Sequence, residues 1–360
     1  MSNTLFFTPG PTQLYPRTDV FIKEALEHDV CSISHRSQAF KDIYYDTINA
    51  LRELIGMPEN GWHIFFTGSA SEIWERLLTN CCEKESFHFV NGSFSKKFFQ
   101  YAQSLHINAQ KHEVPFGEGI SLANIKGNDT AELVCLTHNE TSAGTMTPVE
   151  EINKAKELFP NALVAVDTVS SVPYPNYDFD KIDSLFFSVQ KCFGLPAGLG
   201  VWVVNDKCIA KAEQLRKEGK VIGAHHDLLE LKKRGVANQT PSTPNILGIF
   251  LLGKVTRNML NKGAEQLRKE TEHKYNLLCD AITQHPSFDL FVKEEYFRSK
   301  TVVVADTKIS PSEINEKLAI DGMQVGAGYG DKKKTQIRIA NFPAFSVKEI
   351  EKLCEKLSEI

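Results

Sequence analysis

Apolar and polar positions alternate in two rhythms along the first two thirds of the chain. Short runs dense in β-branched and aromatic residues (His63 to Thr67, His88 to Asn91, Leu133 to Leu136, Leu163 to Val166, Leu185 to Val189, Val201 to Asn205) read as strands. Between them, Ala39 to Ile55, Glu72 to Asn80, Ser95 to Ser104 and Pro148 to Leu158 carry helical spacing. Strands that alternate with helices imply right-handed crossovers and a mostly parallel sheet, an α/β fold. After Pro241-Ser242-Thr243-Pro244 a helical run begins near Ile246 and continues, with breaks at glycine, past Lys274 toward Ile282, long enough to bridge two domains. Beyond it, Thr301 to Val304 and Gln336 to Ile339 read as strands, and Ser312 to Ile320 and the closing stretch as helices, together a small α+β domain. Pro9, Pro11 and Pro16 make the opening segment extended, laid across another surface without forming an element of its own. The predicted division is an arm over 1–15, a large domain over 16–253 and a small C-terminal domain over 254–360.

Composition narrows the partners. The 360 residues are 42% hydrophobic and 24% charged with a net charge of -4, an ordinary globular balance that offers no basic footprint for nucleic acid and no apolar run of membrane-spanning length. The start, Met1 to Pro11, lacks the basic head and apolar core of a signal peptide, so a cytoplasmic location is expected. Eight cysteines without a Cys-x-x-Cys pair read as reduced thiols. His225 and His226, being adjacent, should point apart, so no metal site is expected there.

Chemistry enters at the strand ends, because parallel sheets bind ligands outside the carboxyl ends of their strands. Leu163-Val164-Ala165-Val166 is followed at once by Asp167, and Leu185 to Gln190 by Lys191. A third run, Leu133 to Leu136, empties into Thr137-His138-Asn139-Glu140-Thr141-Ser142. An amine that can bind an aldehyde, beside an acid that can keep a ring nitrogen protonated, suits pyridoxal 5'-phosphate. Lys191 is then the candidate Schiff-base lysine and proton carrier, the acid/base part being worth about 10² to 10⁴ in rate. The plainer reading is a surface lysine, which the apolar loop Cys192 to Gly200 makes less attractive. Asp167 facing a cationic ring nitrogen would contribute roughly 4 kcal/mol at ordinary contact distance; its plainer role is to cap the following turn.

Other positions fill out such a site. Thr67-Gly68-Ser69-Ala70-Ser71, ahead of a helix opening at Glu72, offers amides and hydroxyls to a phosphate, or is simply a turn of small residues. It is no P-loop, and Gly194 to Gly200 is no dinucleotide fingerprint. Phe94 can stack on a flat cofactor or belong to the core. Arg338, between Ile337 and Ile339, needs a carboxylate from a substrate or from a structural Asp or Glu. His35-Arg36 could meet a second anionic group; Lys332-Lys333-Lys334 reads as a solvated hairpin face.

With these positions in view, the chain resembles the class V aminotransferases over nearly its whole length. The resemblance is carried by Phe7-Thr8-Pro9-Gly10-Pro11-Thr12, Ser34-His35-Arg36-Ser37, Asn139-Glu140-Thr141, Val166 to Ser171, Gln190-Lys191 and Arg338-Ile339. It implies fold type I, with a mostly parallel seven-stranded sheet in the large domain. It implies that Lys191 carries the cofactor, that Asp167 pairs with its ring nitrogen, that Phe94 stacks on it and that Thr141 bonds near its phenolic oxygen. Ser69, Ala70, Ser71 and Gln190 would hold its phosphate, joined by Gln239 and Thr240 of the neighbouring subunit in a homodimer with composite sites. His35, Arg36 and Arg338 would bind the substrate, an amino acid exchanged for a 2-oxo acid.

Two branches of the family compete. Asn139-Glu140 and Phe297-Arg298-Ser299-Lys300-Thr301 look like the phosphoserine branch, which serves serine biosynthesis with 2-oxoglutarate; Asn91-Gly92-Ser93-Phe94 and Gly328-Tyr329-Gly330 look like the alanine or serine:glyoxylate branch. Where the phosphoserine enzymes carry a His-Arg pair, this chain has Gly330-Asp331-Lys332-Lys333-Lys334. A class V lyase is disfavoured by Gln190 in place of histidine and by the absence of a cysteine between Cys279 and Cys354; an inactive binding protein of the same fold stays open.

Overall fold

The structure, a computed structural model, describes residues 4–360, so the first three residues of the expected arm lie outside the described residues. The chain opens with β1 (Leu5–Phe7), α1 (Thr18–Glu27) and α2 (Gln38–Leu54). Then come β2 (Trp62–Thr67), α3 (Ala70–Cys81), β3 (Glu85–Val90), α4 (Ser93–Ser104), β4 (Asn108–Glu113) and β5 (Leu133–Thr137). A ribbon, β6 (Asn139–Glu140) and β7 (Thr145–Met146), leads to α5 (Val149–Leu158), β8 (Leu163–Asp167), β9 (Ser184–Ser188), β10 (Gly200–Asn205), α6 (Asp206–Lys217) and α7 (Leu228–Gly235). Two helices follow, α8 (Ile246–Lys262) and α9 (Ala264–Gln284), then β11 (Phe288–Leu290), β12 (Val302–Thr307), α10 (Pro311–Ile320), β13 (Met323–Ala327), β14 (Gln336–Ala340) and α11 (Val347–Ser358).

The larger sheet has seven strands in the order β2-β10-β9-β8-β5-β3-β4. Only β10 runs antiparallel to its neighbours. Its central strands are buried on both faces, and the two-residue period of a strand sorts their side chains. Ile64, Phe66, Val134, Leu136, Val164, Val166, Leu185 and Phe187 pack with α1, α2, α5 and α8. Phe65, Leu133, Cys135, Leu163, Ala165 and Phe186 pack with α3, α4, α6 and α7 on the other face. The result is helix, sheet, helix.

Some elements carry little apolar signal. β4, Asn-Ala-Gln-Lys-His-Glu, is a largely exposed edge strand whose charged side chains guard an unpaired edge. α6 buries only Cys208, Ile209, Ala212 and Leu215, a faint stripe with two small residues among its four.

The second sheet has the order β1-β13-β14-β12-β11. Here the structure corrects the expectation for the opening segment: Leu5 to Phe7 pair in parallel with Met323 to Val325, and Phe7 stacks on Phe345 at 4.5 Å. Three residues without an alternating pattern give no strand signal alone; β13 supplies the pairing. Gly263, at φ 93°, breaks the long helical run into α8 and α9. Val255 and Met259 of α8 belong to the larger sheet's core, and Tyr275, Leu278 and Ile282 of α9 to the smaller.

Candidate active site

At the carboxyl edge of the larger sheet β5 and β8 finish level, Thr137 opposite Asp167, while β9, whose Phe186 is opposite Asp167, runs on to Ser188. A cavity of about 120 Å³ opens there, and its wall brings together Ser69, Ala70, Ser71, Phe94, Thr141, Asp167, Gln190 and Lys191. Each follows the carboxyl end of a parallel strand or starts the helix behind one.

Asp167 is only 3% exposed. Its Oδ1 accepts from the Val169 amide at 3.0 Å, the turn-capping role, while Oδ2 accepts from Trp74 Nε1 at 2.9 Å. Burial pushes its pKa up to about 7 against these hydrogen bonds. The Lys191 amine is drawn down to about 8, chiefly by burial and then by the nearby Arg338 charge. Its Nζ donates to the carbonyl of Pro9 and sits 5.7 Å from the centre of the Phe94 ring. Gly10 sits at φ 124°, a backbone conformation that suits glycine, and its missing side chain leaves room for the end of Lys191 where the arm passes over it.

The loop Thr67 to Ser71 starts its helix two residues earlier than expected. Ser69 is the N-cap of α3 and accepts from the Glu72 amide at 3.2 Å. The Ala70 amide donates to Ser188 Oγ at 2.8 Å, tying the loop to β9. On the cavity wall Gln190 Oε1 is buried with no partner among the described residues. The N-terminus of α3, a buried acid, a lysine of depressed basicity and an aromatic wall fit a flat, anionic aldehyde cofactor.

Thr141 Oγ1 and Asn139 Nδ2 each lie 2.7 Å from Ser170 Oγ. Glu140, fully buried, clamps this turn to the start of α4. One carboxylate oxygen accepts from the amides of Phe94 (3.0 Å) and Ser95 (2.9 Å), the other from the Ser142 amide (3.1 Å) and hydroxyl (2.6 Å). Arg338 donates to the carbonyls of Ala327 (2.8 Å) and Thr141 (3.3 Å). Among the described residues no Asp or Glu lies within ion-pair distance of this half-buried cation; Glu140, whose charge it feels, spends its oxygens on Phe94, Ser95 and Ser142.

Other sequence candidates lie apart from this wall. Arg36 donates to Gln239 Oε1 (2.9 Å) and to the carbonyls of Thr240 (2.8 Å) and Pro241 (3.1 Å), and His35 Nδ1 is 3.5 Å from Thr243 Oγ1. Gln239 and Thr240, expected to act across a subunit boundary, therefore form one cluster with His35 and Arg36. Thr240 to Asn245 instead line a separate cleft of about 230 Å³ with Gly68, Glu72 and Arg76. His225 and His226 do not point apart as expected: their rings lie 5.6 Å apart and, with Glu72, their ligand atoms fall within 4.8 Å of one another. The backbone between two structured segments bends enough to bring adjacent rings together. Glu72 is already engaged by the Gly68 amide and by the Arg76 guanidinium.

Sequence reasoning assigns no role to Trp74, Glu140, Ser170 or Ser188. A tryptophan on a helical stripe reads as core, and nothing local marks its indole N–H as the partner of an acid 93 positions away. Glu140 and Ser170 sit inside motifs that carry the family resemblance, which is the only signal they give.

The family model described as aminotransferase class-V matches residues 108–335. The crystal structure of a phosphoserine aminotransferase, SerC, from Cytophaga hutchinsonii superposes with a TM-score of 0.98 at 48% identity, covering 100% of this chain and 99% of that one. A phosphoserine aminotransferase of Corynebacterium glutamicum is 26% identical over 350 residues, 96% of this chain and 92% of its own length. An alanine–glyoxylate aminotransferase from Nostoc sp. shares the fold, with a TM-score of 0.84 at 20% identity over 99% of this chain and 94% of that one. Among the described residues no helix is long and apolar enough to cross a membrane. The chain therefore belongs to the class V aminotransferases of fold type I and is a pyridoxal phosphate-dependent aminotransferase, exchanging an amino acid for a 2-oxo acid.

Proposed function

We propose that this enzyme moves the amino group of O-phosphoserine to 2-oxoglutarate. The observation that carries the reading is the near-complete superposition, at 48% identity, on a phosphoserine aminotransferase. Arg338, a half-buried cation without an acid of its own, supports a substrate carboxylate on the same wall.

In this reading Ser69, Ala70, Ser71 and Gln190 hold the cofactor phosphate, Phe94 covers the ring, Thr141 bonds its phenolic oxygen and Asp167 keeps its nitrogen protonated. Pyridoxal phosphate, when bound, supplies an aldehyde that condenses with amines and a ring that accepts the electron pair left at the substrate α-carbon. The chain's own residues do the rest. Trp74 and the Val169 amide fix the Asp167 carboxylate, so its charge is aimed before substrate arrives. Arg338 orients the α-carboxylate. Lys191, with a basicity near neutrality, takes the α-proton at Nζ and gives it back, which a lysine of ordinary pKa does poorly at neutral pH.

Gln239, Thr240, His35 and Arg36 complete a neighbouring subunit's site, making the enzyme a homodimer; their clustering away from this chain's own Lys191 supports that assignment. All eight cysteines are free, which supports a reducing, cytoplasmic setting.

The test is single-turnover bleaching of the bound cofactor by O-phosphoserine, serine and alanine in parallel. O-phosphoserine should react with the highest apparent second-order rate constant. A preference for alanine with indifference to O-phosphoserine assigns the enzyme to the glyoxylate branch instead.

A further inference from the structure

A donor with two acidic groups needs two cations, and Arg338 is one of them. The obvious second, Arg36, has its guanidinium taken up by Gln239, Thr240 and Pro241 of its own chain. Another stands closer to the cavity. Lys97 lies one turn along α4 from Phe94, on the same helix face. Its Nζ is 5.5 Å from the centre of the Phe94 ring and 5.4 Å from that of Tyr329. It also donates a 2.9 Å hydrogen bond to Tyr329 Oη. The Phe94 and Tyr329 rings are 5.2 Å apart, and the Arg338 guanidinium lies 5.4 Å from the Tyr329 ring. One aromatic pair thus separates two cations, and among the described residues neither has an Asp or Glu within ion-pair distance.

An exposed lysine ordinarily samples water or a surface acid. This one is held over two rings, a placement worth only about 0.5–1 kcal/mol at an exposed site. The hydrogen bond fixes more than the lysine. Because Tyr329 Oη accepts from Lys97, its own O–H is left to donate elsewhere. An ammonium and a hydroxyl donor side by side, with no acid to neutralise them, make a receptor for a tetrahedral anion.

We propose that Lys97 and Tyr329 bind the phosphate monoester of the amino donor while Arg338 holds its α-carboxylate. This rests on the O-phosphoserine reading above and names the residues that would impose it.

The test is an absorbance titration of the holoenzyme with O-phosphoserine and with serine, for wild type and the variants K97A, K97R and Y329F, alongside kcat and KM for both donors. Wild type should bind O-phosphoserine more tightly than serine. K97A should lower that selectivity about tenfold or more, through apparent Kd and KM rather than kcat, as loss of a charge-assisted hydrogen bond does. Y329F should lower it by a smaller factor, and K97R should keep most of it. Inorganic phosphate should compete with serine in wild type and much less in K97A. Selectivity within twofold of wild type in K97A, with wild type still favouring O-phosphoserine, overturns the Lys97 assignment and leaves the substrate reading standing. A wild type that binds O-phosphoserine no better than serine overturns the substrate reading and this inference with it.

Discussion

The cavity under Lys191 and the cluster around Arg36 hold the same kinds of groups in opposite states. Around Lys191 the charges are buried and displaced from their ordinary acidities, Asp167 upward to about 7 and the lysine downward to about 8. Around Arg36 the guanidinium is spent on three acceptors of the 239–241 segment. The first region holds its chemistry ready; the second uses its charge to shape backbone. A group meant to react must be kept desolvated and incompletely satisfied, whereas a group meant to present a loop to another surface is best saturated at home.

The largest effect should come from removing the reactive centre of the first region. Lys191→Ala should lower turnover by at least about 10⁴-fold, the upper end of what acid/base catalysis alone contributes, and should abolish the borohydride-reducible chromophore. Near wild-type transamination by that variant would mean that the reacting amine lies elsewhere.

Asp167→Asn tests the other charge. An ion pair worth roughly 4 kcal/mol corresponds to about 10³ in rate, so turnover should fall by that order. The same residue sets a pH signature in the cofactor-free protein. Its folded pKa, about 7, lies above the unfolded value, so between about pH 4 and 7 the native state binds more protons than the unfolded one and stability drops as pH rises. Lys191 has the opposite slope: its depressed pKa makes the native state bind fewer protons between about 8 and 10.4, and stability recovers as pH climbs through that window. Urea midpoints measured for wild type and for Asp167→Asn isolate the carboxyl: the wild-type value minus the variant's should fall steadily from about pH 4 to about pH 7. A flat difference would show that the carboxyl is already ionised in the empty fold.

The two regions also differ in how far they can be read from sequence. Asp167 stands out because it ends a wholly apolar strand, and Lys191 because it follows a buried strand by three residues; a buried parallel strand has few reasons to lead directly into a charge. Ser69 to Ser71 and Phe94 follow from the same rule at neighbouring strands. The rule fails where polarity is intrinsic to the element, as in β4, or where the stripe is small, as in α6. It also fails for partnerships made by the fold. Nothing near Arg36 in sequence indicates that Gln239, 203 positions away, receives its hydrogen bond, nor that Trp74 anchors Asp167. The opening segment shows both sides. Its prolines mark it as extended, but its strand exists only because β13 offers an edge, and its passage over Lys191 uses a backbone conformation at Gly10 that favours glycine.

The smallest effect decides whether the comparison is right about whom the second region serves. Arg36→Ala frees three acceptors of the 239–241 segment, and a loosened segment should weaken cofactor retention about tenfold. If the segment serves the neighbouring subunit, a hybrid dimer of one R36A chain and one K191A chain contains a single complete site: the R36A chain supplies Lys191, and the K191A chain supplies an intact Arg36, Gln239 and Thr240. Such a hybrid should retain cofactor at half its sites with wild-type affinity. If instead the segment closes over its own chain's cavity, every lysine-bearing site in the hybrid is paired with the damaged segment, and retention should match that of R36A alone. Equilibrium dialysis of the isolated hybrid against pyridoxal phosphate separates the two cases, because one intact site and no intact site differ by the whole tenfold.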